Sequence, residues 1–346
     1  MNESFVNRPD RKRKDPMDIL KLLLVCVTIW SSSVSWVFAA ATAPQKVVIT
    51  PASFSEREGI LIVAQNQGFF RKHNLDVQLV LMPSAPVAFA ALAAGESQFY
   101  FGTTSGTSLG AVVNGLDGVF VAGFINKLVG AFAVGKDIKT PNDLKGKSIG
   151  VASLGGGNWM FTMLAFDHWG IEPKRDNITF RIIGNTGVRA QSIAGGIIAG
   201  SMLGYTFATN LRRDGYPILA DVADLNIPFQ DSALFTRKSF LNQHPEAVEN
   251  VLRALLDSIA FIQEPGNKNA VLKSLVQWLR LAKTEDAVEG YEFMRRMYTK
   301  RIYPTIDGIR NAIRVLSTTN EKFRGMKAED LVDDRIVRKL EKEGAF

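Results

Sequence analysis

The stretch KVVITPASFSEREGILIVAQNQGFFRKHNLDVQLVLM, residues 46–82, holds one complete strand–helix–strand unit. Its apolar run Lys46–Thr50 predicts a strand, and Val77–Met82 predicts a second one. Between them, the polar loop Ser53–Ser55 precedes an apolar stretch that predicts a helix from Glu56 to Gln67. Because strands joined through a helix normally run parallel, this stretch predicts an α/β fold.

The alternation of strands and helices continues toward the C-terminus in two series. In the first series, the predicted elements after residue 82 are a helix over Pro86–Ala94, a strand over Gln98–Gly102, a helix from Ser105 to Val113 and a strand over Val119–Gly123. In the second series, the predicted strands are Phe132–Val134, Lys147–Ala152, Ile178–Ile183, Met202–Tyr205 and Pro217–Ala220. After Ser232–Phe235 the strand pattern stops, and apolar residues at a helical spacing predict helices from Pro245 onward.

The two series define two lobes, with chain crossings near residues 130–136 and 230–236. We predict that residues 44–132 and 235–346 form lobe 1 and that residues 133–234 form lobe 2. Each lobe is expected to be a mostly parallel sheet with helices on both faces, and the two crossings are expected to form a two-strand hinge. Ligands of open α/β sheets bind outside the carboxyl ends of the strands, so two facing sheets predict a cleft that closes over a solute.

The first 43 residues have the composition of a targeting segment. A cationic head, Arg11–Lys14, precedes the uncharged run Leu22–Ala43, which ends in small residues. We predict a signal peptide over residues 1–41, cleaved after Ala41, with an uncleaved N-terminal membrane anchor as the alternative. In both cases the remainder is expected to be periplasmic. Cys26 is the only cysteine and lies in this segment, so the remainder has no disulfide and no cysteine nucleophile.

Composition argues against several classes of function. The net charge is +7, but +2 of it comes from residues 1–43, and the remaining charge is spread without a basic block. No nucleic-acid partner is therefore expected. The three histidines, His73, His168 and His244, are isolated from one another without metal-ligand spacing, so we expect no metal and no cofactor. No catalytic residues are predicted.

Three short motifs, in this order, carry a family resemblance. They are QGFFRKHNLDV at residues 67–77, ALAAGE at 91–96 and DLKGK at 143–147. Together with TPASFSEREG at residues 50–59, they resemble the nitrate/sulfonate/taurine-type solute-binding proteins of ABC importers, a family that also contains thiamine-precursor binders. The resemblance covers residues 46–264 and, more loosely, 265–346. It implies a type 2 periplasmic binding protein fold.

The resemblance also implies a function. A monomeric protein would capture a small solute outside the cytoplasm, with an oxyanion such as a sulfonate or nitrate among the candidates, and would deliver it to the transmembrane subunits of an ABC transporter without acting as an enzyme. One alternative is a thiamine-pyrimidine-precursor binding protein, or a synthase-like enzyme of the same fold. An extracellular sensor domain is a further alternative, which would favour the uncleaved anchor.

Loops at strand ends supply the candidate ligand-binding residues. Thr103–Ser105 and Gly155–Asn158 each lead into a predicted helix, where unpaired N–H groups and the helix dipole attract anions. Lys127 would complement an anion and Trp159 would form a stacking wall; helix capping, plain turns, core packing and, for Asp231, a hinge role are the alternatives. The predicted set is Ser53, Phe54, Thr103, Thr104, Ser105, Asn126, Lys127, Gly156, Asn158, Trp159, Asn185, Tyr205, Thr206 and Asp231.

Overall fold

The computed structural model describes Met1 and residues 43–82 and 84–346. The architecture below is that of Pro44–Phe346, which form one compact unit. Apart from Met1, the predicted targeting segment over residues 1–41, with its cleavage point and Cys26, lies outside the described residues. Where the chain is described, its helices are all too short or too polar to cross a membrane.

Two five-stranded sheets form the framework of the described chain. The strands are β1 (Gln45–Pro51), β2 (Leu75–Leu79), β3 (Phe99–Gly102), β4 (Gly118–Gly123), β5 (Ala131–Val134), β6 (Ser148–Val151), β7 (Thr179–Ile182), β8 (Gly200–Leu203), β9 (Ile218–Asp221) and β10 (Ala233–Arg237). The first sheet has the order β2-β1-β3-β10-β4 and the second has the order β7-β6-β8-β5-β9.

The two sheets have the same topology. In the first sheet β1 pairs in parallel with β2 and β3, and β10 pairs antiparallel with β3 and β4. In the second sheet β6 pairs in parallel with β7 and β8, and β5 pairs antiparallel with β8 and β9. Each sheet therefore has four strands in one direction and one reversed strand, which confirms the expectation of mostly parallel sheets.

Helices cover the sheets and bury their apolar residues. They are α1 (Gly59–Asn66), α2 (Phe69–Lys72), α3 (Ala85–Ala94), α4 (Gly106–Val113), α5 (Gly157–His168), α6 (Thr186–Ala194), α7 (Tyr205–Arg213), α8 (Lys238–Gln243), α9 (Pro245–Gln263), α10 (Lys268–Leu279), α11 (Val288–Met297), α12 (Ile306–Thr319) and α13 (Arg335–Lys342). Every residue of β3 and β4 is buried, as expected for strands covered on both faces. The apolar stripe of α9, from Val248 to Ile262, is also buried.

Two connections join the sheets. The chain leaves the first sheet at Gly123 and enters the second at Ala131, and it returns between Asp221 and Ala233. The connections are hydrogen-bonded to each other, because Leu128 N–H donates to the Ile227 carbonyl and Asp231 N–H donates to the Ile125 carbonyl, both at 3.0 Å. The strand entered after each crossing, β5 or β10, is the reversed strand of its sheet.

These connections lie several residues earlier than the predicted crossings at 130–136 and 230–236. The reason is that the apolar runs used to place the crossings, Phe132–Val134 and Ser232–Phe235, belong to β5 and β10 themselves, except for Ser232. The division of the chain into lobes at residues 132 and 235 stays a prediction.

One predicted strand ends early, which changes the local structure at Tyr205. The predicted strand Met202–Tyr205 is observed as β8, which ends at Leu203, and Tyr205 is the first residue of α7. Gly204 caps this helix with extended backbone angles, φ −69° and ψ 158°. The buried Glu56 carboxylate accepts a hydrogen bond from Tyr205 N–H, so the chain itself satisfies an amide at the start of the helix.

Candidate binding cavity between the two sheets

A cavity of about 380 Å³ lies between the strand ends of the two sheets. The first sheet lines it with the segments that follow β1, β2 and β3 and with Asp231 and Ser232, just before β10. The second sheet lines it with the segments that follow β6 and β7. Because the carboxyl ends of parallel strands meet at one edge of a sheet, both sheets present loops and helix starts to the cavity.

A smaller cavity, of about 10 Å³, adjoins the large one and shares four of its lining residues. The shared residues are Arg57, Asn158, Thr186 and Arg189. The two cavities therefore meet at a polar region that holds two arginines, one from each sheet's side.

The short turn Glu56–Glu58, after β1, places three charged residues at this region. Glu58 accepts hydrogen bonds from the Ser53 and Ser55 hydroxyls at 2.8 and 2.9 Å. The Arg57 guanidinium lies 3.5 Å from the Asp231 carboxylate. It also lies 4.4 Å from the ring centroid of Phe161, in α5 of the second sheet's side. Arg57 therefore contacts both sides of the cavity.

Burial shifts the acids of this cluster toward their protonated forms. It raises the pKa of Glu58 to about 7, against the opposing effect of the Arg57 cation. It raises the pKa of Asp231 to about 6, again against Arg57. Burial alone would lower the pKa of Arg57, but Asp231, Glu58 and Glu56 hold it above its usual value. At neutral pH Arg57 is thus a cation whose charge is balanced within the chain.

Arg189 supplies the second cation and has a different environment. It is 4% exposed and lies on the buried face of α6. Its Nε donates to the Ser201 hydroxyl and its Nη2 to the Thr186 hydroxyl, both at 3.1 Å, and its Nη1 donates to the Gly184 carbonyl. Burial, with a further contribution from Arg57, lowers its pKa to about 9, so the guanidinium stays charged at pH 7.

Seven of the fourteen predicted residues line these cavities. Ser53, Phe54, Thr103, Asn158, Asn185 and Asp231 line the large cavity, and Tyr205 lines the small one. Asn185 also caps α6 by accepting from Val188 N–H at 3.1 Å. The Asn158 amide links Ala152 N–H to the Met202 carbonyl, which ties the start of α5 to β6 and β8.

The other seven predicted residues line neither cavity. On the first sheet's side, Thr104 N–H donates to the Gln230 carbonyl, and Ser105 caps α4 by accepting from Ser108 N–H. At the connections between the sheets, the Asn126 side chain donates to the Tyr303 carbonyl at 3.0 Å. Lys127 forms an isolated antiparallel β-bridge with Pro228 through its backbone. These contacts match the capping and turn alternatives, and a role of these four residues in binding stays a prediction.

The remaining three are Gly156, Trp159 and Thr206. Gly156 caps α5 and packs so closely on Ser153 that a Cβ there would lie 2.4 Å from the Ser153 hydroxyl. Trp159 makes an edge contact with Phe180, at 6.2 Å between ring centroids, and lines a different surface groove. Thr206 is buried against Gly290. Their predicted role in binding also stays a prediction.

Sequence reasoning did not select Arg57, Glu58 and Arg189, although all three line the large cavity. A signal for Arg189 was present, because it shares a helical stripe with Thr186, Ala190 and Ile193, all of which are buried. A charged residue on an otherwise buried stripe is exceptional unless it is paired or functional. The run Glu56–Glu58, between a strand and an apolar helix, was a comparable signal.

Comparison with known proteins supports this architecture. Residues 58–267, more than half of the chain, match the family model described as NMT1/THI5 like. No curated protein sequence matches the chain.

Solved structures of binding proteins superpose on most of the chain. The periplasmic aliphatic sulphonate binding protein SsuA from Escherichia coli is 16% identical, with a TM-score of 0.68 over 84% of this chain and 92% of its own. The alkanesulfonate-binding protein SsuA from Xanthomonas axonopodis pv. citri, bound to MOPS, is 17% identical, with a TM-score of 0.68 over 85% and 99%. The periplasmic nitrate-binding protein NrtA from Synechocystis PCC 6803 is 14% identical, with a TM-score of 0.67 over 86% and 89%. At such identities the likeness shows the fold, and it confirms the expected two-lobed type 2 periplasmic binding protein fold.

Proposed function

Since this chain belongs to the NMT1/THI5-like family, we propose that it captures a small solute between its two lobes and delivers it to the membrane subunits of an ABC importer. The solute would enter while the lobes are apart and would be enclosed when they close. The protein would act outside the cytoplasm, in the periplasm, as a monomer. It would bind its solute without converting it.

The cavity between the sheets is the observation that carries this proposal. Its volume of about 380 Å³ falls within the usual range for small-molecule sites, about 300–1,000 Å³. Both lobes contribute to its wall, so a solute there would touch both and would favour their closed arrangement. The two connections between the sheets are hydrogen-bonded to each other, and they would form the hinge about which the lobes open.

Two contacts across the cavity support closure as the mechanism. Arg57 of one lobe lies against Phe161 of the other, and Glu56 of one lobe accepts from Tyr205 N–H of the other. Both contacts would have to break when the lobes separate. The described arrangement therefore corresponds to a closed form with room for a solute.

Structural neighbours support the transport role. Three of them are binding proteins for sulfonates or nitrate, and two of these are periplasmic. A catalytic role has less support from the residues. Gly106–Gly110 has the spacing G-x-S-x-G, but Ser108 is fully buried within α4 and its hydroxyl donates to the Ser105 carbonyl at 3.0 Å. That hydroxyl is not placed to attack a substrate.

Thermal unfolding in the presence of a solute library tests the proposal. A solute that binds only the folded protein raises the melting temperature by mass action. We expect one chemical class of small solute to do so and to be recovered unchanged afterwards by mass spectrometry. A library without any stabilising solute, or conversion of the stabilising solute, would overturn the proposal.

A matched pair of variants ties such a shift to the cavity. Ala85 lines the cavity, so Ala85→Trp would place an indole in the space for the solute and should abolish the shift in melting temperature. Val87→Trp places the same bulk on the same helix at an exposed position, 45% accessible and outside the cavity wall, and should preserve the shift.

A further inference from the structure

We propose that the captured solute is an organic monoanion whose charged group pairs with Arg189. This inference rests on the proposed function and names the chemistry of the same cavity. It depends on the donors that Arg189 keeps free, on the missing counter-charge, and on the apolar wall opposite.

The donors of Arg189 are only partly used by the chain. A guanidinium has five N–H donors arranged as a fork. Three of them are bonded, to Ser201, Gly184 and Thr186. One N–H therefore remains on each terminal nitrogen, and two such neighbouring donors match the two oxygens of a carboxylate or sulfonate. The bonded donors hold the fork in place, so little rotamer entropy is lost on binding.

The charge of Arg189 is not balanced by the described chain. Its three partners are two hydroxyls and a carbonyl, and the charged group that acts on it is another cation, Arg57. A buried cation without a counter-ion is costly in free energy, because burial removes its hydration. An anion in the cavity would remove this cost, because it would be the counter-ion of Arg189.

Arg57 explains why one negative charge is enough. It is held at 3.5 Å from Asp231 and is further offset by Glu58 and Glu56. With Arg57 balanced in this way, Arg189 is the unpaired cation among the described residues that line the large cavity. A second negative charge on the solute would lie near Glu58 and Asp231, which would repel it.

The opposite wall indicates that the anion is organic. Phe54, Leu81, Met82 and Tyr100 line the cavity from the first sheet's side, and Leu81 is 44% exposed. An inorganic oxyanion would leave most of a cavity of about 380 Å³ unfilled. A carbon chain or ring attached to the anionic group would cover these apolar side chains and remove apolar surface from water, which favours binding.

A series of six-carbon probes tests the charge requirement on the unmodified protein. At pH 8 we would compare hexane-1-sulfonate and hexanoate with neutral hexan-1-ol, dianionic hexyl phosphate and nitrate, using calorimetry and thermal unfolding. At least one organic monoanion should bind 10-fold or more tightly than each of the other three probes. Equal or tighter binding of hexan-1-ol, hexyl phosphate or nitrate would overturn the inference.

Variants of Arg189 test the residue itself. Arg189→Gln should weaken binding of the monoanion about 100-fold, as expected for a lost charge-assisted hydrogen-bonded pair. Arg189→Lys keeps the charge without the fork and should recover part of this loss. Arg181→Gln removes an exposed cation from β7, outside the cavity, and should leave affinity unchanged. Equal losses in the Arg181 and Arg189 variants would indicate a general charge effect and overturn the assignment.

The outcomes separate this inference from the function on which it rests. If neutral solutes bind and monoanions do not, solute capture stands and the monoanion assignment falls. If no solute of any class binds, both fall. Should Arg189→Gln fail to fold, the probe series on the unmodified protein still decides the charge requirement.

Discussion

Among single residues, the acids around Arg57 have the clearest thermodynamic consequence. Glu58 and Asp231 are 3% and 2% exposed, and burial raises the pKa of each above its usual value. Their folded-state pKa values, about 7 and about 6, mean that the folded protein holds protons that the unfolded chain would release. The stability of the fold is thereby linked to pH.

The sign of this linkage gives the first prediction. A carboxyl with a raised pKa in the folded state stabilises the protein at low pH and loses this contribution as the pH rises through the folded pKa. The free energy of unfolding should therefore fall as the pH rises from about 4.5, the ordinary pKa of a glutamate, to about 7, the pKa of Glu58 in the folded protein. Glu58→Gln should flatten this part of the curve and stabilise the protein at pH 8 by about 1–3 kcal/mol, measured by urea unfolding.

Glu96→Gln is the control for this prediction, because it neutralises an exposed carboxyl outside the cavity. Its stability curve should follow that of the unmodified protein. If the slope between pH 6 and pH 7, which lies above the pKa of Asp231, persisted in Glu58→Gln, Glu58 would not be its source.

Among the elements, the start of α7 shows how the lobes meet. Glu56 accepts from Tyr205 N–H, and Gly204 makes room for its carboxylate. A Cβ at Gly204 would lie 2.7 Å from both carboxylate oxygens. Tyr205, which was predicted as a ligand-binding residue at the end of a strand, therefore lies at a helix start, and its N–H is bonded to a side chain of the opposite lobe.

Gly204→Ala tests this contact. The backbone angles of Gly204 suit alanine, so the effect is steric, and the new methyl group would push Glu56 away from Tyr205 N–H. We expect a loss of about 1–3 kcal/mol in the free energy of unfolding, the usual cost of overpacking. Gly195→Ala, whose added Cβ would meet nothing closer than 3.4 Å, should cost much less. Equal losses in the free energy of unfolding for the two substitutions would show that the contact between Glu56 and Tyr205 N–H contributes little to stability.

The elements were more predictable from sequence than the site. Period-two and helical apolar patterns report burial, so strands such as β1 and helices such as α9 lie where the sequence indicated. The strand predicted through Tyr205 ended early because its helix is started by Glu56, far away in sequence, and local patterns carry no such information. For the same reason the sequence selected Asn158 and Asn185 but gave no way to see that Arg57 and Arg189 line the same cavity.

For the whole molecule, the repeated sheet topology explains the position of the site. Both sheets have a reversed strand that is entered from a crossing, so their strand ends face the same region. The two connections are hydrogen-bonded to each other and would form the hinge when the lobes separate. In the closed arrangement, the bound solute would add to direct contacts between the lobes, such as those of Arg57 with Phe161 and of Glu56 with Tyr205 N–H.

Small-angle X-ray scattering can follow this closure. A solute that binds both lobes shifts the population toward the closed arrangement. We therefore expect the radius of gyration to decrease when a stabilising solute is added, and Ala85→Trp to show no change under the same conditions. Identical scattering curves with and without a tightly bound solute would show that capture does not involve closure.

A crystal structure with the tightest-binding solute is the most decisive measurement. It should show the solute enclosed between the sheets, in contact with Arg189 on one lobe and with Ser53 or Phe54 on the other. A solute bound at the outer surface, or touching only one lobe, would mean that the cavity between the sheets is not the capture site.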